Sequence, residues 1–182
     1  MNTPSIALPL RRMLWASYRA WWGNFSVRMR PPGPMLLQWL WTGVFCVQIA
    51  LVLTGVAWAF NDGRISAASV LWTDLQVSLC VGYTIHTLFY ASGVAMHRQQ
   101  INPDRFAPMG RFVYYAGVPL LGTGLGVALF LTLRGYNPLH ALLESPRTVL
   151  SILAISVSIS GFLFFVWLSG ERRRLLEAAA AR

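Results

Sequence analysis

The residues best placed to carry chemistry form a ladder in the second long apolar segment. Asp74, Ser78, Gly82 and His86 recur every four residues, so a helix brings them onto one face. Tyr83 lies beside them, on a neighbouring polar-edged face. Ionisable side chains within a membrane span are costly and are typical of functional sites. The pattern predicts an intramembrane polar or sensing site at Asp74, Ser78, Tyr83 and His86, in which the imidazole is a group that titrates near neutral pH.

A structural interpretation of the same ladder stays open. The polar side chains of this segment could serve as hydrogen bonds between helices. Asp74 would then pair with an arginine at the outer end of the bundle, the candidates being Arg64, Arg134 and Arg147. In that case the ladder would hold helices together without sensing anything.

The sequence gives little support for catalysis or metal binding. His86, His97 and His140 lack the paired spacing of haem or zinc ligands. Cys46 and Cys80 fall in different spans at different depths, which favours small buried hydrophobes over a redox pair. We therefore expect no enzymatic activity, no metal and no cofactor on this chain.

The composition requires a membrane to surround these residues. The chain of 182 residues is 55% hydrophobic and only 12% charged, and its mean hydropathy is +0.51. Four apolar segments, at about 35–60, 70–96, 112–133 and 149–169, are each long enough to cross a hydrocarbon core of ~30 Å. Short alternating segments of the β-barrel type are not seen. The predicted fold class is an all-α membrane protein, a bundle of four transmembrane helices.

The distribution of charge predicts the orientation. The net charge is +9, and all fifteen basic residues are Arg. Five precede the first span, three lie between spans two and three and four lie in the tail, against three in the alternate loops. The positive-inside rule places both termini in the cytoplasm. Because these arginines border membrane, we expect no direct nucleic-acid binding.

Residues 1–34 form a cytoplasmic N-terminal segment with an amphipathic pattern. Leu10, Leu14, Tyr18, Trp21 and Phe25 fall on one helical face, with arginines elsewhere. This arrangement predicts a helix lying on the bilayer surface, although a flexible tail with scattered aromatics would also fit.

Small residues predict close helix packing in the third and fourth spans. Gly122 and Gly126 have the G-x-x-x-G spacing of close helix contacts, and Pro119 predicts a kink. Ser158 and Gly161 would let a second helix approach span four, either within the bundle or from a second copy, giving a homodimer.

The tail continues the fourth span without a helix-breaking residue. A 3-4 spacing of seam positions extends from Ser151 to Ala179, as in helices that pack along one another. Residues 170–182 therefore form a cytoplasmic signalling or linker helix. Its predicted output residues are Arg172, Arg173, Arg174 and Leu175.

This layout resembles one family. Four spans, cytoplasmic termini and the tail Gly170-Glu-Arg-Arg-Arg-Leu-Leu-Glu-Ala-Ala-Ala-Ala-Arg182 look like the N-terminal membrane region of LytS/YehU-type sensor histidine kinases, particularly the alginate-regulator AlgZ/FimS-like branch. In that family such a helix leads to an N-P-H-F-L-F-N phosphoacceptor segment and an ATP-binding domain. This sequence has neither after its tail. Gln100-Ile-Asn-Pro103 echoes the motif, but Asp104 stands where its His would be.

The resemblance implies the membrane sensory and dimerisation region of a two-component sensor histidine kinase, in a bacterial inner membrane. A signal would pass through the fourth span to a cytoplasmic kinase domain, absent from this chain, and then to a response regulator. The alternative is a small integral-membrane interaction subunit that anchors or inhibits a cytoplasmic transcription regulator. The bilayer is a partner in both.

Overall fold

The computed structural model describes residues 10–24, 35–61, 64, 66–101 and 106–144, together with scattered positions between 150 and 180. The regular elements within these ranges are five α-helices: α1 (Leu10–Asn24), α2 (Met35–Phe60), α3 (Ala67–Arg98), α4 (Pro108–Leu133) and α5 (Pro138–Glu144). The described positions between 150 and 180 are helical as well. This confirms the all-helical fold class.

Three of these helices are long and apolar enough to cross a membrane. They are α2, α3 and α4, whose candidate membrane spans are Leu36–Phe60, Ala67–Arg98 and Met109–Leu133, with 25, 32 and 25 residues. They coincide with the segments predicted at 35–60, 70–96 and 112–133, and α3 and α4 begin a few residues earlier than predicted. The chain therefore has the layout of a multi-pass membrane protein. Most of the predicted fourth span lies outside the described residues, so the four-span bundle stays a prediction.

The membrane-length helices pack in chain order, with α3 in the middle. α2 packs against α3 and α3 against α4, while α1 rests on α2 and α5 on α4. Because α3 contacts both α2 and α4, a displacement of α3 would change its packing against both helices. The ladder predicted from the sequence lies on this central helix.

Two glycines bring α4 into backbone contact with α3. A Cβ atom on Gly126 would stand 2.5 Å from Val81 Cα, and one on Gly122 would stand 2.5 Å from Ile85 Cγ1. Real Cβ atoms do not approach backbone so closely, so only glycine permits this packing. Pro119, one turn before Gly122, is buried, and α4 continues through it. The glycine pair predicted for close packing is thus placed at a helix–helix contact.

The turn after α4 is closed by glycine geometry. Gly135 has φ +78°, and the N–H groups of Gly135 and Tyr136 donate to Thr132 O and Leu131 O at 2.9 Å each. This is the Schellman arrangement that ends many helices. Asn137 then caps α5, its Oδ1 accepting from Leu139 N at 3.0 Å. The segment that follows α4 therefore contains a short helix, α5.

Candidate functional site

The α3 ladder meets a matching ladder on α2. Thr42, Cys46, Ala50 and Thr54 also recur every four residues, and all four are buried. The helices are antiparallel, so Thr54 faces Asp74, Cys46 faces Gly82 and Thr42 faces His86. The same register sets Ala50 opposite Ser78, which is buried too. The two ladders form one contact between the helices, the α2–α3 seam. Its side chains are small in the middle and polar at both ends.

Thr54 and Asp74 form the hydrogen bond at one end of this seam. The Thr54 hydroxyl donates to Asp74 Oδ2 at 2.8 Å. Arg134, a predicted partner of Asp74, instead donates through Nε and Nη2 to Gln76 Oε1 at 3.1 and 2.8 Å. Arg147 lies outside the described residues. Within the described part of the chain, the carboxylate is therefore held by a hydroxyl of the neighbouring helix.

Thr42 is the centre of the polar cluster at the other end. Its Oγ1 lies 2.8 Å from His86 Nδ1 on α3 and 3.1 Å from Trp21 Nε1 on α1. It also lies 3.1 Å from the carbonyl of Gln38, one turn earlier on α2. One hydroxyl therefore joins three helices that are far apart in sequence.

The hydrogen-bonding capacity of Thr42 limits how these contacts are arranged. A hydroxyl has one hydrogen and two lone pairs, and an indole N–H only donates. Trp21 therefore occupies one lone pair. The hydroxyl hydrogen goes either to Gln38 O, with Nδ1–H of His86 as donor, or to an unprotonated Nδ1. Protonated His86 can only donate, and Thr42 can still accept, so the cluster stays bonded in either charge state.

The ring of Trp39, on α2, covers one side of His86. The Trp39 ring lies 4.7 Å from the imidazole and 5.5 Å from the ring of Tyr83, measured between centroids. Tyr83 donates to Trp39 O at 3.2 Å. Gly43 makes room for this tyrosine, because a Cβ there would stand 2.7 Å from the phenol oxygen. Tyr83 and His86 thus belong to one cluster.

The N-terminal helix completes this cluster from outside. Trp21 is only 2% exposed and packs on Phe45 with ring centroids 5.6 Å apart. Ser17, also buried, accepts from Trp41 Nε1 at 3.0 Å. The face that was predicted to meet the bilayer is therefore divided. Trp21 packs on α2, whereas Leu10 is 66% exposed. The helix exists as predicted, with a Ser17–Trp21 face turned to the bundle.

The predicted sensing residues do not converge on one pocket. Asp74 and His86 are twelve residues apart on α3, which corresponds to about 18 Å along the helix axis. Ser78 lies between them and faces α2. The structure brings Tyr83 and His86 together and leaves Asp74 at the far end of the seam. A hydroxyl–imidazole pair exists at Thr42 and His86, but the Asp74 carboxylate is too distant to orient it.

The residues predicted for packing and output in the last segment are only partly described. Ser158 is exposed and donates to Ala154 O at 2.8 Å. Gly161 has nothing within 4 Å of the position a Cβ would take. Arg172 is helical and exposed. Arg173, Arg174 and Leu175 lie outside the described residues.

The two cysteines are free, and their environments differ. Cys46 is 1% exposed and packs against Gly82, whereas Cys80 is half-buried. Among the described residues, no group of three His, Cys, Asp or Glu side chains is placed to hold a metal ion. The described cluster therefore offers hydrogen bonds and aromatic faces in place of metal ligands.

Sequence reasoning missed the α2 half of the seam and the contribution of α1. A signal for the first was present, since Thr42, Cys46, Ala50 and Thr54 have the same four-residue spacing as the α3 ladder. Ser17 could have been found as the polar residue four positions before Trp21. The register that brings Thr42 to His86 has no signal in a single sequence.

The chain matches no protein-family model, no curated protein and no solved structure. The resemblance to LytS/YehU-type kinases therefore rests on the layout of the spans and on the tail sequence. It stays a prediction from the sequence.

Proposed function

We propose that this chain is the membrane sensory and dimerisation region of a two-component sensor histidine kinase. It lies in a bacterial inner membrane with both termini in the cytoplasm. The signal leaves through the fourth span and the helix after it, reaching a cytoplasmic kinase domain and from there a response regulator.

One observation supports this proposal above the others. The described positions are helical on both sides of the boundary between the apolar segment and the arginine-rich tail, at Leu168–Gly170, Arg172 and Leu176–Glu177. A helix that crosses this boundary can carry a rotation or tilt from the membrane into water. Ser158 and Gly161 are exposed, and a second copy is their proposed partner.

The α2–α3 seam supports a two-state bundle. Its two polar ends are hydrogen-bonded pairs, Thr54–Asp74 and Thr42–His86, separated by small side chains. A stimulus that breaks one pair would change how α3 packs between α2 and α4. The last span would then respond to the new packing of its neighbours.

A fused kinase tests the output helix. The chain would be joined after Arg182 to the phosphoacceptor and ATP-binding domains of a LytS/YehU-type kinase, and autophosphorylation measured in membranes. One residue inserted after Ser169 rotates the following helix by about 100°, whereas seven residues restore its face. We expect the single insertion to change the output and the seven-residue insertion to return it towards the original level. Equal output from all three fusions would overturn the proposal.

Substitutions in the same fusion test the sensing residues separately. Asp74→Asn keeps an acceptor for Thr54, and His86→Asn removes the imidazole from Thr42. We expect either to shift the basal autophosphorylation or its response. Normal signalling by both variants would show that α3 is not the sensing element. It would not bear on the proposal that the last helix carries the output.

The second candidate is a small interaction subunit that holds or inhibits a cytoplasmic transcription regulator. It is favoured by the exposed basic residues near one end of the bundle, His97 and Arg98 on α3 and Arg172 in the tail. Cross-linking in intact cells followed by mass spectrometry separates the two candidates. A regulator captured through residues 98–111 and the tail would favour this one.

A further inference from the structure

The outward side of α1 carries a concentrated basic surface. Arg11, Arg12 and Arg19 are exposed, and they lie away from the face that Ser17 and Trp21 bury against α2. Arg19 is two residues from each of those buried side chains, which turns it about 200° around the helix. By the same count Arg12 also points away from the bundle, and Arg11 is exposed at the side of the helix.

Apolar and aromatic side chains accompany these arginines. Trp15 lies between Arg11 and Arg19 on the same stripe, is 55% exposed and lies 5.0 Å from the Arg19 guanidinium. Leu10 and Met13, in the first turn of α1, are exposed on the side that Ser17 occupies. Arginines together with exposed tryptophan and leucine are the composition of helices that lie between headgroups and acyl chains.

The first 61 residues contain no Asp or Glu that could pair with these arginines. The first Asp or Glu in the sequence is Asp62. Among the described residues, no carboxylate pairs with Arg11, Arg12 or Arg19. Three guanidinium groups are thus available to an external anion.

The position of α1 along α2 indicates which anions lie near its arginines. Trp21 reaches Thr42, seven residues from the start of α2, and Ser17 binds Trp41 beside it. That is about 10 Å from the helix start, at the depth where Trp side chains form the interfacial belt. The arginines are therefore held beside the lipid headgroups.

We propose that Arg11, Arg12 and Arg19 form a docking surface for anionic phospholipid headgroups. The contacts of α1 with α2 fix this surface at the membrane interface, and Trp15 anchors its apolar edge. This inference goes beyond the sensor proposal, because lipid binding at α1 requires no kinase and no particular output helix.

Lipid recovery tests the proposal directly. The full chain would be purified from mixed micelles with equal amounts of phosphatidylglycerol and phosphatidylcholine, and the co-purified lipids quantified. We expect at least about fivefold enrichment of phosphatidylglycerol, the ratio that corresponds to one arginine's attraction of about 1 kcal/mol for an anionic surface. The enrichment should fall when salt is raised to about 0.5 M, because the charges are exposed.

Charge variants separate this surface from the rest of the chain. R11Q/R12Q/R19Q should recover both lipids equally, whereas R11K/R12K/R19K and the opposite-end control R64Q/R134Q should keep the enrichment. The lysine variant keeps the test valid if the glutamine variant fails to fold. Enrichment that survives in a folded R11Q/R12Q/R19Q chain would overturn the proposal. The proposal would also be overturned if the wild-type protein showed no enrichment of phosphatidylglycerol but bound poly-glutamate through the same arginines. That result would indicate an acidic protein partner.

Discussion

Thr42 Oγ1 and His86 Nδ1 lie 2.8 Å apart, and this contact joins α2 to α3 at the level where Trp21 arrives from α1. The pair links an ionisable group inside the apolar bundle to the N-terminal helix. Twelve residues along α3, Asp74 repeats the arrangement with Thr54. Each ionisable group of the α3 ladder is thus held by a threonine of α2.

Removing the Thr42 hydroxyl should break its hydrogen bonds to α1 and α3. Thr42→Val keeps the side-chain shape but removes the contacts with Trp21 Nε1 and His86 Nδ1, and we expect a loss of about 1–2 kcal/mol in unfolding free energy. Titration with a denaturing detergent would measure this loss. Thr87→Val is the matched control, because that exposed hydroxyl donates within α3 to Tyr83 O. Equal stability of the two variants would contradict the assigned bridge.

The α3–α4 contact should not tolerate a methyl group at Gly126. Gly126→Ala would push against Val81 backbone, and we expect a loss of about 1–3 kcal/mol in unfolding free energy. Gly124→Ala, two residues away in α4, meets nothing within 4 Å and should be neutral or slightly stabilising. Thermal unfolding in micelles would compare them. The same unfolding temperature for both would rule out the close approach.

The middle of the α2–α3 seam should behave as a coupled pair. A Cβ on Gly82 would meet the Cys46 sulfur, so Gly82→Ala should destabilise the bundle. Adding Cys46→Ala removes the obstructing atom, and we expect the double variant to recover about 1 kcal/mol relative to additivity. Gly93→Ala, facing open space on the same helix, serves as the control. Strict additivity would show that the two positions do not touch.

The end of α3 contains a strained residue that can be relieved. Gln100 has φ 56°, the left-handed conformation in which Schellman motifs usually place glycine. Gln100→Gly should raise the unfolding free energy by about 1 kcal/mol. Gln99→Gly, at φ −88°, gains no such relief and should not stabilise. A destabilised Gln100→Gly would mean that the glutamine side chain contributes more than its backbone costs.

The membrane-length helices were predictable because burial in lipid imposes length and composition. The α3 ladder was also visible, since periodicity alone defines a face. Its partners were not, because Thr42 and Thr54 are ordinary residues whose role depends on the register between two helices. The same limit explains why the structural interpretation of the ladder considered only arginines as partners of Asp74.

The N-terminal helix shows a second limit. Its amphipathic pattern predicted a helix but not which face meets the bundle. Trp21 turns inward because Thr42 offers its indole N–H an acceptor, a tertiary contact that hydrophobic periodicity cannot rank. The α5 helix, by contrast, had the Asn137-Pro138 signal of an N-cap followed by a first-turn proline.

Pairing of the tail helix with that of a second copy is the proposal on which signal output depends most directly. Single cysteine substitutions at each position from 168 to 180, in a chain carrying Cys46→Ala and Cys80→Ala, would be oxidised in native membranes and the disulfide-linked dimers quantified. We expect maxima at positions 168, 172, 175 and 179, the 3-4 seam, with minima between them. Uniform cross-linking along the tail, or none, would contradict it.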